Sequence, residues 1–149
     1  MVDIDQDAVE ARIRGSFARQ GAMATLGATL SSISPGVVEI ELGFDEKLTQ
    51  QHGFLHAGVI SAALDTACSY AAYTVTDQEA SLLTIEFKVN LMSPGRGERF
   101  LFRGEITKPG SNIIVADGRG YALTDGPAKL IASMTSTLMV IRGREGISG

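Results

Sequence analysis

Cysteine is nearly absent, since Cys68 stands alone among 149 residues. One thiol can close no intrachain disulfide and builds no cysteine-rich zinc site. Long apolar runs are missing too. The two longest stretches without a charge, Gln20–Val38 and Leu48–Leu64, are interrupted, the first by Ser31, Ser32, Ser34, Pro35 and Gly36 and the second by Gln50, Gln51, His52, His56 and Ser61. Neither has the 18 or more consecutive apolar residues that cross a bilayer, so no membrane role is expected. The start, MVDIDQDAVEARIRG, lacks the basic and apolar regions of a secretory signal; the expectation is a cytoplasmic protein whose mature chain begins there. Nor is there an excess of basic charge. A net charge of −4 argues against a nucleic-acid partner, and the slight difference between an acidic first half and a faintly basic second half carries little weight. G-x-S-x-G, the P-loop and a complete G-x-G-x-x-G do not occur; Gly95-Arg96-Gly97 and Gly118-Arg119-Gly120 are fragments only, and no cofactor is expected.

What remains is the composition of a compact fold: 44% apolar and 20% charged residues, with a mean hydropathy of +0.13. The length suits a single domain spanning 1–149. Asp7 to Gln20 reads as a surface helix, with Val9, Ile13 and Phe17 on one face and Gly21 ending it. From Ala24 to Phe44, two alternating runs around Ser34-Pro35-Gly36 predict a strand hairpin. AGVISAALDTACSYAAYTV predicts a helix from about Ala57 to about Val75, apolar nearly all round and therefore central. Four hairpin-connected strands then follow, punctuated by Ser93-Pro94-Gly95, Lys108-Pro109-Gly110-Ser111 and Thr124-Asp125-Gly126-Pro127. The first should bury Leu83, Ile85, Phe87, Val89 and Leu91 on one face and expose Thr84, Glu86, Lys88 and Asn90 on the other; the others cover 99–107, 112–123 and 129–141. The fold class is α+β, an antiparallel sheet curled around one buried helix.

Asp65 is the only charge between Lys47 and Asp77, near the middle of the apolar helix. It lies on a solvent-facing strip, bonds to backbone amides, or is a carboxylate in a cleft, with an environment-tuned pKa, acting as base or nucleophile. His56-Ala57-Gly58 sits at the expected start of the same helix, where free backbone amides and the dipole can hold an oxyanion. Ala57 and Asp65 are about 12 Å apart along such a helix, so one carbonyl group cannot meet both within a chain. If they share a site, two chains build it. His52 and His56 have the i, i+4 spacing of zinc ligands, but HGFLH lacks the glutamate of a metalloprotease helix, and no metal is expected. Cys68, Tyr70 and Tyr73 read as packing.

Gln50-Gln51-His52-Gly53-Phe54-Leu55-His56-Ala57-Gly58, followed by Ala63-Leu64-Asp65-Thr66-Ala67, resembles the hot-dog fold acyl-CoA thioesterases, specifically the phenylacetic-acid-pathway thioesterase-like group. That signature has Asn or Gln, six residues later His-Gly-Gly, and an acid eight beyond the first Gly. Thr84 to Pro94 is similar to the family's strand after the helix and Lys129 to Ala132 to its last strand, so the resemblance covers about 24–142, with 1–21 as an added N-terminal helix. It implies that Asp65 activates water or attacks the thioester, that the Ala57 amide polarises the carbonyl, and that Gln50 orients substrate or water. It places His56 and Gly58 at the turn beside the thioester, Thr84 near the attacking water, and Ser69, one turn after Asp65, in the same site. It also implies an acyl-CoA substrate and a dimer or dimer of dimers whose sites are shared between subunits. Ala57 stands where the family usually has Gly, which puts a methyl group beside the acyl or pantetheine path. A hot-dog hydratase or dehydratase and a non-catalytic acyl-CoA-binding protein are the alternatives.

Overall fold

The computed structural model describes residues 4–149; the first three residues of the acidic start lie outside the described residues. Helix α1 (Gln6–Ala18) begins where the Asp5 carboxylate accepts from the Asp7 and Ala8 amides, and it buries Val9 and Ile13. The chain does not pass straight into a strand after Gly21. A short helix, α2 (Gly21–Leu26), buries Met23 and ends at Gly27, which takes a left-handed φ of 70°. Gly27 is the stop signal that the reading of 24–44 as two strands overlooked. Strands β1 (Thr29–Ser34) and β2 (Val37–Gly43) then form the expected hairpin.

Helix α3 (Ala57–Tyr73) buries residues on most of its circumference, among them Ile60, Leu64, Ala67, Cys68 and Tyr70. It stops two residues earlier than expected. Thr74 there turns its hydroxyl back onto the Ala71 carbonyl at 2.6 Å and accepts from the Gly36 amide at 2.7 Å, which ties the helix end to the β1–β2 turn. The remaining strands are β3 (Ser81–Leu91), β4 (Arg99–Lys108), β5 (Ile113–Leu123) and β6 (Lys129–Ile141). All six form one antiparallel sheet in the order β1-β2-β4-β5-β6-β3, with α3 packed against β2 to β6. Of the four later strands only β4, β5 and β6 are joined as hairpins; β3 is not paired with β4 but lies at the far edge beside β6. Among the described residues no helix is long and apolar enough to cross a membrane.

Helix and sheet meet most closely at Gly104 of β4, where a Cβ would sit 2.4 Å from the Ala67 carbonyl carbon and oxygen and 2.5 Å from the Cys68 nitrogen. All three are backbone atoms, which cannot swing aside. We expect Gly104→Ala to cost about 2 kcal/mol as overpacking, lowering the melting temperature by roughly 4–8 °C. Thermal unfolding followed by circular dichroism measures it, and an unchanged midpoint would show that α3 can lift from β4 freely. Cys68, beside this contact, is fully buried, and desolvation first, then the charges of Asp65 and Asp117, pushes its thiol up to about 12.

Strand β3 departs from the simple alternation. Its pairing with β6 shifts between Thr84 and Glu86, a bulge that puts Thr84, Phe87, Val89 and Leu91 opposite the buried Leu138, Ser136, Met134 and Ala132, and so on the helix side. Leu83 faces the other way, opposite Met139. The expected buried face is therefore split, and it is largely uncovered: Leu83, Ile85, Phe87 and Leu91 are 46%, 52%, 42% and 53% exposed. An edge strand lacks the neighbour that a half-buried strand needs.

Candidate active site

The first turn of α3 holds three amides beyond the cap, and their partners differ. The Val59 amide donates to the His56 carbonyl at 3.0 Å, and the Gly58 amide donates to Nδ1 of the His56 ring at 2.8 Å. The Ala57 amide has no acceptor among the described residues. His56 is thus an N-cap whose Nδ1 lone pair is engaged by the Gly58 amide and unavailable to a metal. Gly58 permits the arrangement, because a Cβ there would lie 3.1 Å from that same nitrogen.

Ala57 lines a cleft of about 290 Å³ together with Gln50, Phe54, Leu55, Ile60, Leu91, Met92 and Pro94. The Gln50 side-chain oxygen accepts from the His52 amide, so its NH₂ remains as the group able to donate into the cleft. The loop carrying Gln50 is fixed through Leu55, whose amide donates to the Gly95 carbonyl at 2.9 Å. At the rim, the Arg96 guanidinium lies 5.0 Å from the Phe54 ring centroid.

Asp65 lies on a half-exposed strip of α3 that includes Ser61, Ala62 and Ser69. Its carboxylate accepts from the Thr84 hydroxyl at 2.7 Å, and Thr84 is 3.4 Å from the Ser69 hydroxyl. Desolvation by burial raises its pKa, against the lowering effect of the Thr84 hydrogen bond. No ion pair compensates it among the described residues. Asp65 opens into a second cavity of about 270 Å³, lined also by Ser16, Gln20, Ser69, Tyr70, Tyr73, Leu82, Leu83 and Thr84. A third groove, of about 540 Å³ on the outer sheet face around Arg103, Asp117 and Arg119, holds neither group.

The structure therefore gathers the expected residues into two clusters: Gln50, His56, Ala57 and Gly58 in one, Asp65, Ser69 and Thr84 in the other. They mark the two ends of β3, whose Leu82, Leu83 and Thr84 line the Asp65 cavity and whose Leu91 lines the Ala57 cleft. Sequence reasoning did not find Ser16 and Gln20 of the N-terminal segment, which reach the acid's cavity through the Tyr70 hydroxyl: Gln20 donates to it at 2.9 Å, and it donates to Ser16 at 3.1 Å. Their i, i+4 spacing was the only local hint.

A sequence model of the Thioesterase superfamily matches residues 52–129. A candidate esterase of Saccharolobus solfataricus is 32% identical over 117 residues, 78% of this chain and 75% of that protein. The medium/long-chain acyl-CoA thioesterase YigI of Escherichia coli is 32% identical over 99 residues, 58% of this chain and 62% of its own length. The crystal structure of a thioesterase family protein from Silicibacter pomeroyi superposes with a TM-score of 0.88 at 52% identity, covering 91% of this chain and 99% of that one.

Proposed function

Because the chain belongs to the thioesterase superfamily and has its hot-dog fold, we propose that it hydrolyses an acyl-CoA thioester to a free acid and CoA. The observation that carries this reading is the Ala57 amide at the head of α3, without an acceptor among the described residues while its neighbours' amides are taken, in a residue that lines an apolar cleft. The carbonyl oxygen of a thioester gains a full charge as the tetrahedral intermediate forms, and a fixed, dry N–H is worth most at that moment. The Gln50 NH₂ is the second donor. Asp65 acts as base on water or as nucleophile, and the Thr84 and Ser69 hydroxyls hold it and the water in place. Collapse of the intermediate breaks the C–S bond and expels CoA as the thiolate. With Asp65 as base the acid forms at once and the proton taken from water passes to the thiolate; with Asp65 as nucleophile a mixed anhydride forms that a water then hydrolyses.

Two protomers complete each site. An eleven-residue edge strand that exposes Leu83, Ile85, Phe87 and Leu91 is a template for strand addition, and a second copy of β3 satisfies it. Pairing β3 antiparallel with its two-fold copy sets the start of one strand beside the end of the other, and so an Asp65 cavity beside the partner's Ala57 cleft. The 12 Å that separates the groups along one helix is bridged in this way.

Release of free thiol from acetyl-, hexanoyl-, phenylacetyl- and palmitoyl-CoA tests the reading. We expect turnover with at least one member well above the buffer rate. A folded protein that releases thiol from none would overturn it.

A further inference from the structure

We propose that the acyl group enters the Asp65 cavity and that its far end, formed by Ser16, Gln20 and Tyr70, selects short acyl chains bearing a terminal hydroxyl. The inference rests on the reading of the protein as an acyl-CoA hydrolase.

The two cavities differ in what surrounds them. Beside the Ala57 cleft, Arg96 is exposed, sits over Phe54 and makes none of the ion pairs found among the described residues. A guanidinium there suits the phosphates of CoA. With CoA on that side of the thioester, the acyl group is left to the Asp65 side.

That side is short and its end is polar. Its lining spans α3 from Asp65 to Tyr70, five residues and about 7.5 Å, which accommodates roughly six bonds of an extended chain at about 1.25 Å of advance per bond. Tyr73 and Leu82 supply apolar wall. At the end, the Tyr70 hydroxyl is already engaged, accepting from Gln20 and donating to Ser16. The Gln20 side-chain amide oxygen and the Ser16 hydroxyl hydrogen are left without a partner among the described residues. A substrate hydroxyl finds an acceptor and a donor there together. A methyl terminus desolvates both and returns nothing, the situation in which sites discriminate most strongly. Ser16 and Gln20 lie outside the segment 52–129 matched by the family model, and Tyr70 lies within it.

Hexanoyl-CoA and 6-hydroxyhexanoyl-CoA have acyl chains of the same carbon count and test the inference as a pair. We expect kcat/KM to favour the hydroxylated thioester by at least about tenfold. Gln20→Leu and Ser16→Ala should each bring that ratio toward one, chiefly by loss on the hydroxylated substrate, in proteins that melt cooperatively. Calorimetric binding of the same pair to Asp65→Asn protein reads the preference without turnover. Equal affinities, binding of neither, or a preference that survives both substitutions overturns the inference. Absence of turnover in the parent alone, with the binding preference intact, overturns the hydrolase reading instead.

Discussion

Asp65→Asn should lower turnover by roughly 10²-fold or more while leaving the fold intact. The substitution keeps the side-chain shape, and the amide oxygen can still accept from Thr84, whose hydroxyl lies 2.7 Å from the carboxylate. What disappears is the basic, nucleophilic oxygen. Stability should change little or improve, because an uncompensated, desolvated carboxylate is replaced by a neutral group. A melting temperature at or above the parent's, with kcat reduced and KM for the best acyl-CoA nearly unchanged, is the expected pattern. The acid limb of the parental pH profile provides a second reading. Burial raises the Asp65 pKa, so activity that needs the ionised form should fall at a higher pH than an ordinary aspartate would impose. Thr84→Val removes the opposing hydrogen bond and should move that limb further upward. A fully active, folded Asn protein would remove Asp65 from the site.

Mixing two inactive proteins should restore about a quarter of the parental activity. Ala57→Pro deletes the amide hydrogen at the first helical position, where proline is tolerated, and His56 before it already has the extended ψ of 138° that proline requires of its predecessor. Asp65→Asn deletes the base. After partial unfolding and refolding, random exchange makes about half of the two-fold dimers mixed, and each mixed dimer has one site with both lesions and one with neither. If both groups came from one chain, every site would keep a lesion and mixing would recover nothing. Native mass measurement of the mixed dimer makes a silent result decisive against the shared site.

The helix that carries the site was legible because its uncharged, alanine-rich run has few other solutions, and β4, β5 and β6 fell within a residue of their expected bounds because Pro-Gly and Asp-Gly turns punctuate them. Asp65 drew attention for the same reason, as a lone charge on an apolar element. The misses have non-local causes. Met23 commits Gly21–Leu26 to a helix by packing into the core, which no strand pattern reveals. The β3 bulge depends on register with β6, and it reverses Thr84 from the expected solvent face toward Asp65. The position of β3 at the sheet edge was likewise hidden, since local pattern does not say which strands pair across the helix. Ser16 and Gln20 meet Tyr70 only after α1 docks, so nothing near them in sequence marks them.

Cys68 makes the molecule carry its own clock. A thiol held at about 12 and sealed between α3 and the sheet reacts with nothing while that layer stays closed. Alkylation of the native protein therefore requires separation of helix from sheet before any reagent can reach the sulfur. The same silence means that the folded protein adds no background sulfur signal to an assay that counts released thiol.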